Sequence, residues 1–212
     1  MSMICRVLAL TPAQMDVLRA TPSLVTNVAL VAHNEQHKAR LDELMERMSP
    51  EQRKRLETNR NAFESNAVIA EARERIAPHG PFDPALSLEK SWHMLHYLLT
   101  GHLGTSSAPG DLLLTGEEVG DDLGYGPARL HGPVETRNFS RFLETQDLAG
   151  LQARVNLREM DQLGVYAMPF GSGSDAEHEN ELRNEIGFYF PRLRDYVRKA
   201  SDKGDGLLVW VS

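Results

Sequence analysis

Two short, almost wholly apolar runs lie at opposite ends of the chain, and any fold it adopts must bury both. Residues 3–10 are rich in Ile, Val and Leu, broken only by Arg6, and Leu207-Leu208-Val209-Trp210-Val211 closes the sequence. Each is too short for a helix and suits a buried strand. Everything between them reads mainly as helix. The expected architecture is therefore α+β and helix-rich: one domain over 1–212, around a small central sheet that pairs the N-terminal and C-terminal strands.

The helix signals are local and physical. Thr11-Pro12 places a capping hydroxyl before a proline at the first helical position, and Thr21-Pro22 repeats the pattern. Leu24, Val28, Val31, Leu41, Leu44, Met45 and Met48 then recur at helical spacing. Ser49-Pro50-Glu51-Gln52 restarts a helix with the spacing of a capping box, and it runs to about Ala77. The helical segment 22–77 reads as an elaboration on the domain. A helix is expected over 88–99, another from Pro133 to about Gln146, one or two over 148–163, and a last one over about 176–203. In that last helix, Leu182, Ile186, Tyr189, Leu193, Val197 and Ala200 form an apolar stripe. Pro191 should kink or divide it. Residues 101–128 are glycine-rich and read mostly as loop, with a short extended piece at 129–131.

Charge excludes more than it selects. The 212 residues carry a formal net charge of −7, so phosphate is repelled overall and nucleic-acid binding is not expected. The Arg53-Lys54-Arg55 cluster stands among interleaved acids and reads as a solvated helix face. No run approaches the ~18 apolar residues of a membrane span, and the N-terminus lacks the pattern of a secretory signal. The expectation is a cytoplasmic protein without membrane or nucleic-acid partners. The lone Cys5 allows no intramolecular disulfide and no cysteine-based zinc site, and no cofactor or metal is expected.

Candidate chemistry concentrates in two places. On a helix over 88–99, Glu89, His93, His96 and Thr100 would share one face opposite Leu88, Trp92, Leu95 and Leu99. A carboxylate beside two histidines could serve acid–base chemistry or a ligand, or it could be a polar stripe bonded to the neighbouring loop. The second is Gly124-Tyr125-Gly126-Pro127-Ala128-Arg129, a tight turn leading to a guanidinium. Arg129 there clamps Asp121, Asp122 or backbone carbonyls, or else contacts a ligand. His33 and His37 have metal-compatible spacing, but Asn34 occupies the place of a metalloprotease glutamate, so an exposed helix face is the reading.

Four segments together resemble the YfbM-like family of bacterial proteins, a domain of unknown function (1877). They are Met1-Ser2-Met3-Ile4, the stretch Leu88-Glu89-Lys90-Ser91-Trp92-His93-Met94-Leu95-His96-Tyr97-Leu98-Leu99-Thr100-Gly101, the 124–129 turn, and the ending from Tyr196 to Val211. The resemblance implies a single α+β domain in a bacterial cytosol and brings no established activity or catalytic residues.

Two function classes follow. In the first, the protein is a non-enzymatic module that binds a basic protein partner, as an immunity protein neutralises a toxin. Its surface would be two acidic patches: Asp111, Glu117, Glu118, Asp121 and Asp122 in the 101–128 loop, and Asp175, Glu177, Glu179 and Glu181 at the start of the last helix. In the second, it is a small-molecule-binding protein or enzyme whose pocket joins Glu89, Trp92, His93 and His96 to Tyr125 and Arg129. The charge segregation favours the first.

Overall fold

The structure is a computed structural model that describes residues 3–32, 49, 51, 67–81, 83–107, 109–166, 168–169 and 173–212. Five strands form one antiparallel sheet: β1 (Cys5–Leu10), β2 (Leu86–Glu89), β3 (Glu117–Asp122), β4 (Pro127–His131) and β5 (Gly206–Val211). Their spatial order is β2-β1-β5-β4-β3. The two terminal strands pair along their whole length, from Cys5 opposite Val211 to Leu10 opposite Gly206. The α+β architecture expected from the two apolar ends is the one formed.

All six residues of β1 and all six of β5 are buried, which requires cover on both faces of the sheet. Alternation sorts their side chains. Leu8, Leu10, Leu208 and Trp210 face α1 (Pro12–Ala20), α2 (24–32) and α3 (Ala67–Ile76), where Met15, Leu18, Val25, Val28, Ile69 and Ile76 complete one core. Val7, Ala9, Leu207 and Val209 face the other core, built with α4 (Trp92–Thr100), α5 (Pro133–Glu144), α6 (Leu148–Ala153), α7 (Leu157–Leu163) and α8 (Asp175–Lys203). Thr11 caps α1 in a capping box with Gln14, whose amide also donates to the Gly80 carbonyl at 3.0 Å. That bond ties α1 to the turn after α3.

Three expectations are corrected. The helix expected over 88–99 begins only at Trp92. Leu88 and Glu89 belong to β2, and a turn closed by Ser91 N–H donating to Leu88 O separates the two elements. Leu86 and Leu88 face one core while Ser87 pairs with Arg6, a period-two pattern that a helical reading hides because Leu88 also fits the period of 3.6. Secondly, 101–128 is mostly loop as expected, but it also contains β3, which that reading did not include. An edge strand buries only one face, and here only Val119 is buried, so its apolar signal is minimal. Thirdly, of the two outcomes expected at Pro191, a kink or a division, division does not occur: α8 runs through 29 residues. Proline removes the bond to the carbonyl four residues back, which here belongs to Gly187. Ile186, Phe190, Leu193 and Val197 are fully buried on both sides of it, and their packing outweighs one lost bond. Phe190, rather than the half-buried Tyr189, occupies the centre of that stripe.

Candidate functional site

α4 projects its histidines inward, into the segment 101–116 that leads to β3. His96 is fully buried. Its Nε2–H donates to the Gly104 carbonyl at 3.0 Å, while Nδ1 lies 3.6 Å from the Asp111 carboxylate, too far for a hydrogen bond. Burial holds the imidazole pKa below its ordinary value, against the pull of the Gly104 bond and the Asp111 charge. His93 accepts from Tyr166 N–H at Nδ1 (2.8 Å), which leaves Nε2–H to donate to the Leu103 carbonyl at 3.0 Å. Its tautomer is thereby fixed. On β4, His131 is buried and bonds through Nε2 to the Leu112 carbonyl at 2.9 Å; burial lowers its pKa as well.

These three imidazoles fasten the 101–116 segment to α4 and β4. Asp111 completes the fastening from the other side. Its carboxylate accepts from the N–H groups of Ser106 and Leu114, and its main-chain carbonyl accepts from the Thr115 hydroxyl. Trp92 is equally committed: its ring is buried and its Nε1–H donates to the Met3 carbonyl at 3.3 Å. Glu89 does not share a face with the histidines. It sits at the end of β2 with φ of 48°, and its carboxylate accepts from the Ser87 hydroxyl at 2.8 Å. Cys5 is buried and its thiol is pushed up to about 12, which removes it as a nucleophile near neutrality.

The 124–129 turn closes the β3–β4 hairpin. Asp122 Oδ1 accepts from the N–H of Gly124 at 2.6 Å and of Gly126 at 2.9 Å, and these bonds hold its carboxyl below the usual carboxylate range. Both glycines have positive φ, 121° and 99°, a conformation that L side chains rarely adopt. Tyr125, between them, is 40% exposed. Arg129 clamps not Asp121 or Asp122 but Glu118 across the strand pair, at 3.2 Å, and also donates to the Pro127 carbonyl. Behind the hairpin, Gly120 has φ of 78°, and a Cβ there would fall 2.7 Å from that of Val25. Only glycine lets the strand lie this close to α2.

The structure thus separates the residues that sequence reasoning grouped. His93, His96 and Trp92 are tied into the 101–116 segment and the N-terminal strand, Glu89 lies in β2, and Tyr125 and Arg129 belong to the hairpin. None of the three described cavities is lined by both α4 histidines and the hairpin arginine. Among the described residues, no three His, Cys, Asp or Glu side chains converge as a metal site would require. No helix among them is long and apolar enough to cross a membrane.

The acids divide in the same way. Asp111 is inside, whereas Glu117, Glu118, Asp121 and Asp122 are exposed on the hairpin. At the start of α8, Glu177 forms a capping box with Ser174, Glu179 binds Arg183 at 2.8 Å, Asp175 binds Arg158 at 2.8 Å, and Glu181 is exposed. His33, His37 and the Arg53–Arg55 cluster lie outside the described residues.

A family model described as a domain of unknown function, DUF1877, matches residues 1–210. The chain belongs to this family. A solved structure of a protein of unknown function, YfbM from Escherichia coli, matches with a TM-score of 0.55 at 14% identity, covering 99% of each chain. At that identity the likeness shows the fold. No curated protein matches the chain significantly. The α+β domain expected of a DUF1877 protein is the one formed here.

Sequence reasoning missed the role of Asp111, since its partners Ser106, Leu114 and His96 have no fixed spacing that a motif could signal. The lock on the hairpin tip was missed as well, with Asp122 read as a partner of Arg129 or a surface acid, although a signal for it was present. An aspartate two residues before a glycine is the signature of a side chain that accepts from the backbone of its own turn.

Proposed function

We propose that this DUF1877 protein acts by binding a basic partner protein, and that the β3–β4 hairpin is the surface it presents. The observation that carries this reading is Tyr125, held exposed on a tip that Asp122 locks from below, with Glu117, Glu118 and Asp121 exposed along the adjoining edge strand. Tyrosine supplies much contact area for little conformational entropy, and a preorganised loop loses less on binding than a mobile one. The acids around it favour a positively charged partner and speed its approach. Arg19 and Arg129 engage Glu117 and Glu118, and Asp121 forms no ion pair among the described residues.

This differs from a purely protective edge, in which acids merely discourage strand pairing, because such an edge gains nothing from an exposed aromatic on a fixed tip. Neutralisation of a basic toxin is the kind of activity such a surface suits. The α4 histidines support a binding role over a catalytic one: both ring nitrogens of His93 and Nε2 of His96 are bonded to the backbone, and Nδ1 of His96 is closed to solvent.

The test is capture of partners by the purified protein from extracts of its native host, at low and high salt. A partner retained at low salt, released at high salt, and lost with Tyr125→Ala and Asp121→Lys supports the reading. Retention by both variants, or binding indifferent to salt, refutes it.

A further inference from the structure

On the face of the sheet opposite the histidines, Arg6 stands in a strand whose six residues are all buried, and is itself only 8% exposed. Its Nη1 donates to the Ser212 hydroxyl at 2.9 Å. Its Nε is buried without an acceptor, and the guanidinium forms no ion pair among the described residues. Glu89 attracts it from a distance, but that carboxylate is held by Ser87. Burial disfavours the charge, and nothing nearby compensates in full. Arg6 also lines an open cavity of about 230 Å³ together with Thr26, Ala29, Leu30, Leu123, Trp210 and Ser212.

A buried guanidinium with unused donors is an incomplete arrangement. The cavity wall beside it is chemically divided: the Ser212 hydroxyl accompanies the cation, Thr26 stands on the exposed rim, and an indole with aliphatic side chains forms the rest. Its volume is below the ~300–1,000 Å³ of drug-sized sites, so the occupant is small. A single guanidinium favours a monoanion over a dianionic phosphate, which requires more donors.

We propose that this cavity binds a small monocarboxylate with a short apolar body. The carboxylate pairs with Arg6 beside the Ser212 hydroxyl, and the body lies against Trp210, Leu30 and Leu123. The site takes Leu123 from the base of the hairpin turn but neither Tyr125 nor the hairpin acids, and it stands or falls independently of the partner reading.

The experiment uses the full chain and four probes: isovalerate, phenylacetate, the neutral 2-phenylethanol and inorganic phosphate. Binding is read from the NMR signal of the Arg6 Nε–H and from the melting temperature. Saturable shifts with the two carboxylates and none with the alcohol are expected. Arg6→Met should weaken carboxylate binding by about tenfold or more. The same variant should melt no lower than the unliganded wild type, because it removes a buried charge that lacks a partner. A second variant, Thr26→Phe, fills the rim from an exposed helix position and should abolish binding with the fold intact. Equal binding of 2-phenylethanol, stronger binding of phosphate than of the carboxylates, no saturable shift with any probe, or unchanged carboxylate affinity in Thr26→Phe would each overturn the assignment. Should Arg6→Met melt lower and lose binding together, Thr26→Phe decides.

Discussion

Asp111 and the hairpin acids lie within one twelve-residue stretch, 111–122, that contains no base, yet they do opposite things. Asp111 points inward, gathers two backbone N–H groups and faces a buried histidine. Glu117, Glu118, Asp121 and Asp122 are exposed on an edge strand and its turn. A carboxylate in the first setting is held by groups that would otherwise be unsatisfied, so its removal is felt by the whole fold. In the second, water solvates the charge, and only neighbouring side chains or a partner give it a role. Charge density along a sequence therefore locates a surface only after the burial of each acid is known. The five acids of this stretch are one structural anchor, one turn lock and three surface charges.

The sharpest way to break this contrast is to delete the anchor. Asp111→Ala leaves the N–H groups of Ser106 and Leu114 without their carboxylate, and should destabilise the protein by about 3 kcal/mol in urea unfolding. Asp111→Asn, which keeps an acceptor oxygen, should lose clearly less. A loss no larger than that of a surface substitution would mean that Asp111 is not an anchor.

The anchor's surroundings should also respond to pH, and the sign follows from burial. His96 and His131 both have pKa values depressed below the ordinary 6.5. The unfolded chain therefore takes up protons first. Their contribution to stability is complete above about pH 6.5 and declines as pH falls below it, by up to about 1.4 kcal/mol per pH unit for each histidine. Unfolding free energies measured between neutral and mildly acidic pH test this. His131→Gln, which can still donate to the Leu112 carbonyl, should make the decline shallower, and an equally steep decline would exclude His131 as a contributor.

The turn lock should act locally. Asp122→Ala removes the acceptor for the Gly124 and Gly126 amides, so hydrogen exchange at those two sites should accelerate while the amides of β1 and β5 keep their protection. Acceleration spread over the whole sheet would place Asp122 with Asp111 instead. The surface charges should have the smallest effect on folding. Asp121→Lys and Tyr125→Ala are expected to change stability by no more than about 0.5 kcal/mol, measured by the same urea titrations.

How far the sequence disclosed this arrangement depended on whether the signal was local. β1 and β5 were legible because both are buried on two faces and read as apolar runs. The cap at Thr11 is local too, as is the glycine turn at Gly204 that ends α8. β2 and β3 were hidden for different reasons. β2 has four residues and shares Leu88 with a helical periodicity, while β3 buries Val119 alone. The grouping of Glu89 with His93 and His96 failed with the helix boundary, because the helix begins four residues later than expected and leaves Glu89 in a strand. The histidines' partners, the carbonyls of Leu103, Gly104 and Leu112, carry no side-chain signal at all. The cavity at Arg6 needs β1, β5, α2 and the hairpin in place together before it exists. An arginine inside an apolar strand was the one visible trace of it.

The most direct test of the hairpin as a binding surface is site-specific photocrosslinking in the native host. A photoreactive phenylalanine analogue would replace Tyr125 in one protein and the more exposed Val134 on α5 in another. The expected result is one discrete crosslinked partner with a basic surface from position 125, weakened by Asp121→Lys, and no such product from position 134. The same products from both positions, or none from 125 under conditions where the protein is abundant, would contradict the claim that the hairpin is where this protein meets its partner.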